Sequence, residues 1–108
     1  MNEQSINKEI KISQQISIKQ TDICIPRMEQ STTRQTIFDT FKKLNIGRIE
    51  RITENPLKND TTYKRVILRI KWNNTEQAET IKNRLNTNQP VNIVYQLPWF
   101  WRVVLSNR

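Results

Sequence analysis

The run Tyr63-Lys64-Arg65-Val66-Ile67-Leu68-Arg69-Ile70-Lys71-Trp72 constrains this chain more than any other stretch. Val66, Leu68, Ile70 and Trp72 share one parity, and Arg65, Arg69 and Lys71 share the other with Ile67. Side chains alternate across a strand, so this spacing predicts a strand with an apolar underside and a cationic outer side. Its β-branched and aromatic residues suit a half-buried pleated surface. Such a strand needs neighbours at its edges and a cover over its apolar side.

The rest of the chain supplies both. Ile23-Cys24-Ile25-Pro26-Arg27-Met28 reads as a short strand, with Ile23 and Ile25 on one side and Cys24 on the other. Pro26 lacks an N–H, which places it at the strand's end or at a non-bonded position. Ser31-Thr32-Thr33 offers a helix N-cap, and Ile37, Phe38, Phe41 and Leu44 follow as an apolar stripe of core residues. Gly47, the only glycine, marks the helix exit. A strand from Gly47 to about Thr53 follows; the three-residue spacing of Ile49 and Ile52 calls for a bulge or an early end. Glu54 to Thr62 reads as a loop. After the Tyr63–Trp72 strand, Asn74 with Gln77 forms a capping box for a second helix, whose stripe is Ala78, Ile81 and Leu85. Val91–Tyr95 is a fourth strand, and Leu97 to Leu105 forms an apolar, aromatic coda.

Three divisions follow: a polar, flexible tail over residues 1–20, a domain over 21–97, and an aromatic and basic extension over 98–108. Within the tail, Ile10, Ile12, Ile16 and Ile18 share an alternating frame, so its later part can pair against a sheet edge.

The chain of 108 residues has 18 Lys and Arg against 10 Asp and Glu, a net charge of +8. A small domain that basic suits a polyanion. One cysteine and no histidine exclude an internal disulfide and a Cys/His zinc site, and leave Cys24 without a histidine to activate it. The acidic residues form no recognisable catalytic pair and there is no Gly-rich phosphate loop, so neither an enzyme nor a cofactor is expected. No apolar run approaches the ~20 residues of a membrane helix, and the N-terminus lacks the apolar stretch of a secretion signal. An intracellular location, cytoplasmic or nuclear, with no membrane partner is therefore expected.

Strand, helix, strand, strand, helix, strand is the order of a ferredoxin-like βαββαβ sandwich: an α+β fold with a four-stranded antiparallel sheet and two helices on one face. The order and lengths of these elements resemble the RNA-recognition motif (RRM) over about Ile23 to Tyr95. Such domains stack bases on aromatics carried by the two central strands. The first signature would fall on Ile23–Met28, with Cys24 at the aromatic position. The second would fall on Tyr63–Ile70, with Lys64 at the glycine position and Arg65 and Ile67 at the stacking positions. Val66, Leu68 and Ile70 agree with the family's apolar positions, whereas the stacking aromatics are replaced. The phrases Cys24-Ile25-Pro26-Arg27, Ile46-Gly47-Arg48-Ile49, Tyr63-Lys64-Arg65-Val66 and Pro98-Trp99-Phe100-Trp101 also resemble short RRM-like proteins of large DNA viruses. That resemblance implies a viral source and an infected cell as the setting.

The expected function is non-catalytic binding of single-stranded nucleic acid, RNA before DNA, through a basic sheet face. Arg65, Arg69 and Lys71 would hold phosphates or stack on bases. Arg27 and Lys64 would extend the patch, with Tyr63 and Ile67 beside them. The alternative is a protein–protein module, an adaptor or a subunit of a viral or ribonucleoprotein assembly. Trp99, Trp101 and Arg102 of the coda would then form the contact with a partner or with another copy.

Overall fold

The structure, a computed structural model, describes residues 20–106. The tail expected over residues 1–20 lies outside them, save the backbone of Gln20. The elements are β1 (Gln20–Glu29), α1 (Arg34–Leu44), β2 (Gly47–Pro56), β3 (Tyr63–Trp72), α2 (Glu76–Asn86), β4 (Val91–Gln96) and β5 (Trp99–Leu105). They form an α+β fold whose sheet has five strands in the order β2-β3-β1-β5-β4, every neighbouring pair antiparallel.

The expectation of four strands is thereby corrected. Residues 99–105, expected as an extension beyond the domain, are β5, an inner strand between β1 and β4. Trp101 and Val103 alternate inward and are buried, so the coda carries part of the core. Leu97 and Pro98 alone join β4 to β5. Neither is a residue of the usual two-residue hairpin turns, so nothing local announces this hairpin. Antiparallel neighbours also fix strand directions. β1 and β2 run parallel with β3 between them, and β3 and β5 run parallel with β1 between them.

Two bulges keep the apolar residues facing inward. Ile25 pairs with Val66 and Met28 with Lys64, leaving Pro26 and Arg27 as two residues opposite Arg65. Without the extra residue Met28 would point away from the core; with it Met28 is buried. The same device lies between Ile49 and Arg51; of the bulge and the early end that the spacing of Ile49 and Ile52 left open, the bulge is found, and β2 runs on to Pro56. Pro26 therefore sits where the ladder does not need its N–H.

Ile23, Ile25, Val66, Leu68 and Ile70 join Ile37 and Phe41 of α1 and Ala78 and Leu85 of α2 in one buried cluster. Both helices therefore cover the same side of the sheet. Thr33 caps α1 by accepting a hydrogen bond from the Thr36 N–H. Phe38, expected in the core, is exposed on the helix flank, while Ile37 and Phe41 take the buried stripe. Helix α1 ends at Asn45, whose left-handed backbone (φ 54°) lets its N–H bond Phe41 and Lys42. The exit is thus Asn45, not Gly47. Gly47 opens β2, where a Cβ would lie 2.8 Å from the Lys71 carbonyl oxygen and 2.9 Å from Ile70 Cγ1. Close approach, not turn geometry, demands that glycine. The cap of α2 is Thr75, which accepts from the Ala78 N–H at 3.1 Å, one residue beyond the expected Asn74.

Candidate nucleic-acid interface

The face of the sheet opposite the helices gathers side chains by register. One row runs Arg51, Arg69, Asp22 across β2, β3 and β1. The next runs Thr53, Ile67, Cys24, Val104 and reaches β5. Arg65 stands opposite Asn55 and the β1 bulge, and Lys71 opposite Arg48. On the far side, alternation from Val104 puts Arg102 and Phe100 on this same face, opposite Asn92 and Val94 of β4. Arg51, Arg65, Lys71, Arg102 and Phe100 are exposed.

Several of these groups have partners. Arg69 donates to both carboxylate oxygens of Asp22, from Nε at 3.0 Å and Nη2 at 3.4 Å. That carboxylate raises the guanidinium pKa further, so Arg69 stays a cation at any working pH. Arg65 lays its Nε 3.3 Å from the Cys24 sulfur. Cys24 is buried although it points to the open face. Arg27 stacks 3.8 Å above the Tyr63 ring and pairs with Asp60 at 3.4 Å. Tyr63 therefore already carries a cation on one of its faces. Asp60 accepts from the Thr62 hydroxyl at 2.6 Å and its N–H at 3.2 Å; with a weaker pull from Arg27, these hold its carboxyl below the ordinary value.

Register thus places Arg65, Ile67, Arg69 and Lys71 together, with Arg27 and Tyr63 at the loop end of β3. Lys64 is not with them. It shares the parity of Val66 and Leu68, lies on the helix side, and is only 3% exposed. Its Nζ donates to the Thr32 carbonyl at 2.7 Å and to Glu54 Oε1 at 2.5 Å. Arg34 holds the other Glu54 oxygen at 2.6 Å. Lys64 first and Arg34 second keep the Glu54 carboxyl below its usual value. A buried ammonium persists only where such partners replace its water.

The coda residues separate as well. Trp101 is 4% exposed and stacks on Tyr95 with centroids 4.6 Å apart. Trp99 is exposed at the hairpin end, and Arg102 points to the open face. Trp72 packs against the core rim and donates its Nε1–H to the Thr21 hydroxyl at 2.9 Å. Sequence reasoning missed Arg51, because its face depends on the Glu50 bulge. Once that bulge is placed, the parity of β2 identifies it.

Among the described residues no group of three or more Cys, Asp or Glu side chains could hold a metal ion, and no helix is long and apolar enough to cross a membrane. One cleft of about 450 Å³ sits between α1 and β2, lined by Phe38, Phe41 and Lys42 among others, and a smaller one, lined by Arg48, Lys71, Trp72 and Asn73, reaches the open face. No family model, no curated protein and no solved structure matches this chain.

Proposed function

We propose that this chain is an RRM-like domain, a ferredoxin-like sandwich with β4 added at one edge. It binds single-stranded RNA without catalysis through the uncovered sheet face. One observation carries this reading. Six cations, Arg48, Arg51, Arg65, Arg69, Lys71 and Arg102, stand on a face that no helix covers among the described residues, and two acids lie among them, Asp22 paired with Arg69 and Glu50 paired with Arg48. A flat cationic surface holds a flexible phosphate chain, and Phe100 with the guanidinium planes offers surfaces for bases. Sequence preference is weak, because Cys24, Arg65 and Ile67 stand where the resembled family carries its aromatics.

With Asp22 offsetting Arg69 and Glu50 offsetting Arg48, about four phosphates are neutralised. The affinity for a single strand then falls roughly 50-fold between 50 and 200 mM salt. Fluorescence anisotropy with single-stranded RNA, single-stranded DNA and duplex at those two salt concentrations tests the reading. Joint reversal by Arg65→Glu and Arg69→Glu should abolish binding while leaving the far-UV spectrum unchanged. Undiminished binding by that folded variant would refute the proposal.

A second reading rests on the hairpin that joins β4 and β5. It exposes Leu97, Trp99 and Phe100 beside each other, which suits a protein contact.

A further inference from the structure

The two edges of the sheet differ. Strand β2 carries Arg48, Glu50, Arg51 and Glu54, a bulge between Ile49 and Arg51, and a terminal Pro56. Charge, irregularity and proline are the usual protections of an edge against pairing with another chain. Strand β4 is Val-Asn-Ile-Val-Tyr-Gln, with no charged residue, proline or glycine. Its register shift comes after Val94, at the hairpin end, and leaves Val91 to Val94 regular. Among the described residues β4 pairs with β5 on one side and with no strand on the other. Apolar surface surrounds it: Leu97 is 82% exposed, Trp99 63%, Phe100 50% and Val94 43%.

We infer that the β4 edge is a self-association site, at which a second copy of this chain adds its own β4 antiparallel to the first. Antiparallel edge pairing has two-fold symmetry, so one strand serves as both donor and receiver. Charge selects the occupant and the edge. Each copy carries +8, and β4 is where two copies can meet without opposing cations. Pairing at β2 would instead bring Arg48 and Arg51 of both copies to one seam, across a ladder interrupted by the bulge. A register centred on Ile93 sets Val94 of each copy opposite Asn92 of the other, both on the open face. Trp99 and Phe100 alone leave on the order of 200 Å² of aromatic surface per copy. With Leu97, Val94 and the strand edge, the interface approaches the ~600 Å² per partner of the smallest specific interfaces. The dimer is therefore weak and dependent on concentration.

The two-fold axis of such a pair stands normal to the sheet, so both open faces point the same way. Ten strands at about 4.8 Å spacing make one platform roughly 45 Å across. This consequence rests on the proposed nucleic-acid reading; the dimer itself does not.

Sedimentation equilibrium of the full chain, from low micromolar to near-millimolar concentration, is the test. The apparent mass should climb towards twice that of one chain. Salt should strengthen the association by screening the net charge while it weakens nucleic-acid binding, so the two proposals fail independently. Val94→Lys, at an exposed position, should weaken the dimer at least tenfold, and Asn55→Lys on β2 should not. A single-chain mass throughout would overturn the inference. Were that mass accompanied by slow hydrogen exchange along β4, residues 1–19 of the same chain would be the occupant. A dimer untouched by both Val94→Lys and Leu97→Lys would also overturn it.

Discussion

Lys64 and Glu54 should respond unequally to removal, although each is the other's partner. Glu54→Gln leaves a buried ammonium facing the Thr32 carbonyl and a neutral amide. Lys64→Met removes the buried charge itself and leaves Glu54 to Arg34 at the surface. Breaking a buried pair from one side costs about 3–5 kcal/mol when the remaining charge is stranded. Lys64 retains one carbonyl, and the Glu54 side chain is 25% exposed, so about 2 kcal/mol is expected. A methionine fills the lysine's volume, and its loss should stay within about 1 kcal/mol. At this domain size the first change lowers Tm by roughly 8–16 °C and the second by less than about 8 °C. Thermal melts followed by circular dichroism at neutral pH measure both. If Lys64→Met falls as far as Glu54→Gln, the reasoning about the stranded charge is wrong. The same Lys64→Met protein should bind single-stranded RNA as the parent does, because Lys64 lies under the sheet. A tenfold loss of affinity in a folded variant would return Lys64 to the interface.

Gly47→Ala should destabilise by about 1–3 kcal/mol in urea titrations, since its Cβ meets the Lys71 carbonyl and the Ile70 side chain. Trp101→Ala should cost about 3–5 kcal/mol and Trp99→Ala within about 0.5 kcal/mol, a contrast that measures which tryptophan belongs to the core. The carboxyls of Glu54 and Asp60 are held below their ordinary values of 4.5 and 3.8. Their contribution is therefore complete above those values and is lost as the pH falls through the lower folded ones. Urea midpoints should be flat from pH 7 to about 5 and decline below that; Glu54→Gln should flatten the acid limb.

Individual residues show how much of the fold and the candidate site could be read beforehand. Ile67, Arg69 and Lys71 were placed by parity alone, which a regular strand preserves along its length. Phe38 misled because a stripe of 37, 38, 41 and 44 is wider than the groove that receives it; Ile37 and Phe41 fill that groove and leave Phe38 outside. Asn45 and Thr75 displaced the expected Gly47 and Asn74 because several nearby residues could serve as caps, and backbone geometry selects one. Lys64 was misjudged on charge. Its parity already assigned it to the buried side, but the carboxylate that makes burial tolerable lies ten residues away on another strand.

Local pattern determined the strand and helix types of the six elements before the coda, and the apolar and cationic sides of β3; for β2 it left a bulge and an early end open. These depend on spacings of a few residues, which the chain carries wherever it folds. Tertiary structure decided the fifth strand, the place of β5 beside β1, the assignment of Arg51 and Arg102 to one surface, and the pairing of Lys64 with Glu54. Each of these requires residues distant in the chain to meet, and strand order is set by which arrangement buries Trp101, Val103 and both helix stripes together.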